Sequence, residues 1–447
     1  MSPQTARHGQ APATALPAGI VADDLTGATD SAVQFARDGW AARLALTAPS
    51  AGSARPGSIV AVVTDARAMP AAEARTATET AVSELLASGA ERLFVKIDST
   101  MRGSIPEQVA GALAGWSVSH PGAVAIVCSA YPAMGRTIED GHILVNGEGV
   151  HLTSVGTDPV TPVSTSDLRE LLPGSTHVAL PGLEPAGASV EVDAGVLHSA
   201  IDAGARVISV DASTDTDLAR LAAAINALGT QAIPVGAAGL AVAMSQVWSA
   251  PDTTPRVAAD ARRAVVVVSS LHDVSRTQAE YLCEHAGADQ LRLLAPTLDE
   301  ALHPETMGDW VARELADASP LPELIVIASP TDRPSAEFSG DRAAAELIAD
   351  SLATITYRVL EHSPVDALML LGGEGARAVL SRLGAEALLV RDAIREGIPL
   401  GSVEGGTADG LTVVTKAGGF GIPSTVYDIV TELIGPEGSE PREGSAS

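Results

Sequence analysis

Aromatic side chains are scarce in this chain: Phe, Trp and Tyr together make up 3% of its 447 residues. With hydrophobic residues at 46%, the cores must be built from Ala, Val, Leu and Ile. Such aliphatic runs suit strands covered on both faces by helices. Cysteine is nearly absent. Cys128 and Cys283 stand far apart in no metal-ligand spacing, which implies no disulfide framework and fits a reducing compartment. Positive charge is also in short supply, with 28 Lys and Arg against 55 Asp and Glu and a net charge of −27. So acidic a surface repels phosphate backbones and anionic membranes, which argues against nucleic-acid and lipid partners. An anionic ligand would have to be captured locally, by a few placed Arg, Lys, backbone N–H groups or Mg2+. No apolar stretch approaches the ~20 residues that span a bilayer, and residues 1–16 hold no apolar signal core. The expected location is the cytoplasm.

At about 150 residues per domain, the length predicts two or three domains. Aliphatic runs that read as strands recur at Ala18–Ala22, Ser58–Thr64, Arg92–Ile97, Ala123–Ser129 and Arg206–Val210. Helical patterns alternate with them over Thr29–Asp38, Ala71–Ala87, Pro106–Leu113, Asp217–Leu228 and Ala238–Trp248. This alternation predicts an α/β fold with a parallel sheet. Residues 141–180 break the rhythm with Gly, Thr and Pro, and predict a loop or small hairpin region over the cleft. A polar, proline-bearing stretch before the next aliphatic run places a domain boundary near residue 255. Beyond it, strands are expected at 264–270, Glu323–Ala328, Ala367–Leu371 and Leu411–Thr415, and helices around Arg342–Tyr357, Gly375–Leu383 and Ser424–Leu433. The expected architecture is two α/β domains, 17–255 and 256–435, with largely parallel sheets and an active-site cleft between them. Segments 1–16 and 436–447 are expected to be disordered.

In parallel sheets ligands sit beyond the carboxyl ends of the strands, and several of these ends carry chemistry. ADDLTGATD, Ala22 to Asp30, puts adjacent carboxylates Asp23 and Asp24 where the first strand empties into a turn. They can bind Mg2+, accept from sugar hydroxyls or take a proton, while Thr29 or Asp30 can cap the following helix. KIDSTMRGS, Lys96 to Ser104, suits a polyhydroxy acid, with Arg102 for the carboxylate and Asp98 and Ser99 for hydroxyls. YPAMGRT adds Arg136, a fork for an anion, beside Gly135. In the second half, LLGGEGA (Leu370 to Ala376), TKAGGFG (Thr415 to Gly421) and the Ser269–Ser270 pair place glycines and hydroxyls at strand ends. There a phosphate can approach a helix N-terminus. Neither G-x-x-x-x-G-K-[ST] nor a G-x-G-x-x-G after the first strand of either half is present. His142, His151 and His272 have no zinc spacing, and no protein metal site is expected.

Taken together and in order, these motifs resemble the four-carbon acid sugar kinase family over roughly Ile20 to Leu433. The resemblance also draws on the TDAR turn at Thr64–Arg67, the Asp158–Pro159 segment, VDA at 210–212 and GAAGLA at 236–241. It implies an N-terminal domain that binds the sugar acid and a C-terminal domain that binds ATP. It further implies Mg2+-assisted phosphorylation of the terminal hydroxyl of a four-carbon acid such as threonate, erythronate or 3-oxo-tetronate. The acid contacts it implies are Asp23, Asp24, Arg67, Asp98, Ser99, Arg102 and Arg136. The ATP contacts are Ser270, Gly372, Gly373, Glu374, Gly375 and Gly418. Three positions depart from the family pattern: Gly375 stands where Thr is common, Ala237 where Ser is frequent, and Ser269 where Gly is frequent. The KIDSTMRG form leans toward threonate or erythronate.

In such a kinase, in-line transfer depends on positioning and charge stabilisation. Arg102 and Arg136 would hold the substrate carboxylate. Asp98, with Asp24 as second choice, would accept the hydroxyl proton, and Glu374 is a candidate Mg2+ ligand. The expected partners are the sugar acid and ATP, with a homodimer allowed for. Two other classes stay open. A Mg2+-dependent phosphatase would use an aspartyl-phosphate, but that chemistry wants two carboxylates one residue apart, and Asp23 and Asp24 are adjacent. A non-catalytic sugar-acid sensor would not need the glycine and hydroxyl turns of the second half.

Overall fold

The computed structural model describes residues 15–434 except 159, 181–189, 249–260, 271, 288, 317–319, 331–341, 396 and 420. The expected boundary near 255, the 436–447 tail, Pro159 and most of segment 1–16 lie outside the described residues.

Among the described residues, fifteen strands form one sheet. From one edge the order is Leu291–Leu294, Leu324–Ala328, Ala264–Val268, Ala367–Leu371, Thr412–Lys416, Ile398–Glu404 and Ala387–Arg395. It continues through Ala41–Ala45, Ser58–Val63, Ala18–Ala22, Arg92–Lys96, Ala232–Gly236, Val124–Cys128, Val207–Val210 and Thr176–Val178. Within each half the pairing is parallel. Strands such as AGIVA at 18–22 and AVVVV at 264–268 are buried at every position, as expected of strands covered on both faces. An antiparallel hairpin, Ala387–Arg395 with Ile398–Glu404, joins the two halves. Its outer strand pairs with Ala41–Ala45 and its inner strand with Thr412–Lys416. The sequence reading did not identify these hairpin strands, and they make the sheet continuous across the cleft.

Parallel register decides where the loops end up. Ala22 lies opposite both Val63 and Lys96, so the turns carrying Asp23–Asp24, Arg67 and Asp98 leave the sheet side by side. Val268 lies opposite Leu371, and Leu371 opposite Lys416, which groups Ser269–Ser270, Gly372–Gly375 and Gly418 in the same way. In both halves the earliest strand is flanked by later strands on each side. Each group therefore sits at a switch point of chain direction, where α/β sheets open a crevice.

The first helix runs Leu25–Arg37, four residues earlier than the sequence pattern suggested. Asp24, rather than Thr29 or Asp30, is its N-cap and accepts from the Gly27 N–H. Thr29 is buried within the helix and donates back to the Leu25 and Thr26 carbonyls. Residues 136–149 form a small three-stranded antiparallel sheet, Arg136–Glu139, His142–Val145 and Glu148–Gly149. A bridge between Ile138 and Ala212, together with the Gly141 N–H donated to Asp211, ties this flap to the main sheet.

Candidate functional site

A cavity of about 580 Å3 opens where the two groups of strand ends face each other. On the N-terminal side it is built from charged side chains. Asp23, 1% exposed, lies behind the wall and receives a two-pronged bond from Arg67, Nε to Oδ2 at 2.8 Å and Nη2 to Oδ1 at 2.9 Å. Asp24 reaches the cavity. Its Oδ1 accepts from the Gly27 N–H and its Oδ2 from the Thr26 hydroxyl, each at 2.8 Å, with Arg67 Nη1 2.9 Å from Oδ2. Burial pushes the Asp23 carboxyl above its ordinary value despite Arg67. At Asp24 burial is outweighed by Arg67, Lys96 and the two hydrogen bonds, and the carboxyl stays below that value.

Asp98 is held from almost every direction. Arg102 donates from Nε at 3.0 Å and from Nη2 at 2.9 Å. The Thr100 N–H donates at 3.1 Å, and the Thr100 hydroxyl donates as well. Burial would raise its pKa, but Arg67, Arg102 and Thr100 hold it far below the usual carboxylate range. Arg102 also reaches Asp158, Nη1 to Oδ2 at 3.3 Å. Ser99 and Arg136 line the cavity. Arg136 donates to the Met134 carbonyl, and among the described residues it has no carboxylate partner.

The C-terminal side is built from backbone and hydroxyls. Ser269, Ser270, Gly372, Gly373, Glu374, Gly375 and Gly418 all line the cavity. Gly372, at φ +101°, turns the chain into the helix Gly373–Arg382. A Cβ on Gly375 would lie 2.2 Å from Ser269 Cβ, and one on Gly418 would lie 2.0 Å from Ser270 Oγ. The two serines therefore occupy the space these glycines leave. Ser269 Oγ donates to the Leu371 carbonyl at 2.8 Å. A side chain at 375 and the side chain of Ser269 would thus compete for the same space. Ala345, Ile348, Ala349 and Leu352, on the helix Arg342–His362, add an apolar wall that the sequence reading did not assign to the site.

The two sides touch. A Cβ on Gly373 would lie 3.9 Å from Leu25 Cβ and 4.0 Å from Thr26 Cγ2, so the N-termini of two helices meet at the middle of the cavity. Unsatisfied N–H groups and dipoles there favour negative charge. Sequence reasoning left Lys96 out of the site, although it opens the KIDST motif. It is 5% exposed and lines the cavity at this junction. Among the described residues no cluster of three or more His, Cys, Asp or Glu could hold a metal ion, and no helix is long and apolar enough to cross a membrane.

Comparison with known proteins matches the same two regions. A family model for a sugar-binding N-terminal domain covers residues 18–244, and one for a nucleotide-binding C-terminal domain covers residues 265–426. The D-threonate kinase of Bordetella bronchiseptica is 37% identical over 409 residues, which is 90% of this chain and 94% of that protein. The D-erythronate kinase of Heliobacterium modesticaldum is 25% identical over 440 residues, 93% of this chain and 96% of that protein. A crystal structure of a Haemophilus influenzae protein shares the fold, with a TM-score of 0.66 at 20% identity over 93% of this chain and all of that one.

Proposed function

The chain belongs to the four-carbon acid sugar kinase family, and we propose that it moves the terminal phosphoryl group of ATP to the terminal hydroxyl of D-threonate. Kinase activity on a four-carbon sugar acid follows from the relatives named above. The choice of D-threonate rests on the 37%-identical relative of that name. The observation that carries the reading is a single cavity with paired carboxylates and guanidiniums on one wall and glycine turns on the other, joined where Thr26 meets Gly373.

The substrate carboxylate sits on Arg136 and Arg102, with Asp98 accepting from a hydroxyl and Ser99 accepting from or donating to another. Asp23 acts behind them, fixing Arg67. The adenine lies against Ile348 and Leu352, and its phosphates lie on the Gly372–Gly375 turn with Ser270 and Gly418. Mg2+ typically binds through substrate phosphates and one or two carboxylates while keeping several waters. Glu374 on the cavity wall would hold the ion, directly or through water, and the ion would supply charge neutralisation at the phosphate oxygens.

Asp24 is the better base, which reverses the order suggested by sequence. Both carboxylates accept hydrogen bonds, but Asp98 is tied to two prongs of Arg102 and to Thr100. Asp24, held by Thr26, Gly27 and Arg67, instead caps the helix whose first turn approaches Gly373. Its low pKa is no obstacle, because a loose transition state demands little from the base. A coupled ADP-release assay over the stereoisomers of threonate, erythronate and 3-oxo-tetronate tests the proposal. D-Threonate should show the highest kcat/KM. A preference for another acid would overturn the substrate, and ADP release indifferent to every acid would overturn the reaction.

A further inference from the structure

Among the described residues four Lys and Arg side chains line the cavity, and three of them have close partners that explain their place. Arg67 is engaged by Asp23 and Asp24, Arg102 by Asp98 and Asp158, and Arg136 by the Met134 carbonyl. Lys96 differs. It is 5% exposed, yet among the described residues its ammonium has no hydrogen bond and no carboxylate within salt-bridge distance. Burying a charge without a partner is costly, and such a group normally pairs or loses its charge. A buried cation that faces a cavity, and is attracted to Asp24 and Asp23 only beyond salt-bridge distance, is placed for an anion that arrives with the substrate.

Its position identifies which anion. Lys96 ends the strand Arg92–Lys96, and a Cβ on Gly27 would lie 2.7 Å from its Nζ and 2.5 Å from Asp24 Oδ1. The ammonium and the Asp24 carboxylate thus flank the same backbone atom in the first turn of the helix Leu25–Arg37. That turn also approaches Gly373 on the nucleotide side. In the reading above the substrate carboxylate is already taken by Arg136 and Arg102, which line the same cavity. What remains for Lys96 is the group that crosses between the two halves.

We propose that Lys96 is a catalytic residue that holds the equatorial oxygens of the phosphoryl group in transit, with Gly27 kept free of a side chain to admit its ammonium. The inference rests on the kinase reading above. In the step, the terminal hydroxyl oxygen of the acid bonds to the γ-phosphorus, and the bond from that phosphorus to the β–γ bridging oxygen breaks. ADP leaves with the bonding pair, and the hydroxyl proton passes to Asp24. Lys96 takes no part in the proton transfer and contributes its charge at the equatorial oxygens, over which the negative charge is spread.

The test is steady-state kinetics of Lys96→Met, Lys96→Gln and Lys96→Arg in the full chain with D-threonate and ATP·Mg, with ADP affinity measured by calorimetry. Loss of preorganised charge at a transferring group lowers kcat by about 10²–10³-fold. That fall is expected for the Met and Gln variants, with KM for the acid and Kd for ADP within about threefold of wild type. Arg, which keeps the charge, should recover at least about tenfold of the lost kcat. Should Lys96→Met fail to fold, Lys96→Gln keeps a polar group of similar length and carries the same expectation. A folded Met or Gln variant with near-wild-type kcat would overturn the proposal. So would a loss seen entirely in KM for the acid, which would move Lys96 to substrate binding. A wild-type enzyme without acid-dependent ADP release would instead overturn the kinase reading itself.

Discussion

The two walls of the cleft do comparable work with different materials. The acid wall uses long charged side chains, and each must be held in place: Arg67 by Asp23 and Asp24, Asp98 by Arg102 and Thr100. The nucleotide wall uses backbone N–H groups and two short hydroxyls, and what it needs is space, at Gly372, Gly375 and Gly418. The acid wall should therefore be sensitive to loss of charge, and the nucleotide wall to gain of volume.

Asp24→Asn should produce the largest effect, a fall in kcat of about 10²–10⁴-fold, the usual worth of a positioned base. The carboxyl of Asp24, the proposed base, is held below its ordinary value, so activity should persist below neutral pH and be lost only as pH falls through the depressed pKa. A pH–rate profile checks this: a kcat/KM that already declines below about pH 7 would point to a different base.

Asp98→Asn should act on stability. Removing one partner of a buried ion pair costs about 3–5 kcal/mol, here by leaving Arg102 and Arg67 without their shared carboxylate. Urea denaturation measures it. The depressed pKa of Asp98 also implies a stabilisation that is complete above about pH 4 and lost as the pH falls through the folded-state value.

On the nucleotide wall, Gly375→Thr places atoms onto Ser269, and overpacking of this kind costs about 1–3 kcal/mol. KM for ATP should rise about tenfold or more. Adding Ser269→Gly should restore most of it, because the second change vacates the space the first one fills. If the double variant is no better than Gly375→Thr alone, the two residues do not form a complementary pair. The smallest effect is expected at the bridging hairpin. Arg43 donates to Glu404 at 2.9 Å across the two halves, but both side chains are partly exposed. Glu404→Ala should change stability by no more than about 1 kcal/mol.

Much of this was legible in the sequence, for physical reasons that also mark its limits. Strands such as Ala18–Ala22 and Ala367–Leu371 could be read because burial on both faces leaves an unbroken aliphatic run. The hairpin Ala387–Arg395 with Ile398–Glu404 could not, since register shifts after Val390 and Ala393 break its alternation among charged residues. Candidate site residues stood out as polar clusters following strands. Their division of labour did not, because it depends on which guanidinium folds onto which carboxylate. Arg102 returns to Asp98 within its own loop, whereas Arg67 reaches Asp23 from a different strand end. Lys96 was visible as a residue but not as a buried cation without a salt bridge, since that status comes from what surrounds it.

The division between the walls is tested most directly by crossed kinetics on one residue from each. Steady-state KM for D-threonate and for ATP would be measured on Arg136→Ala and Gly375→Ala. Loss of a charge-assisted contact at Arg136 should raise KM for the acid about tenfold or more and leave KM for ATP within about threefold. Gly375→Ala should do the reverse. If either variant raises both constants together, acid and nucleotide do not bind separate walls, and the account is contradicted.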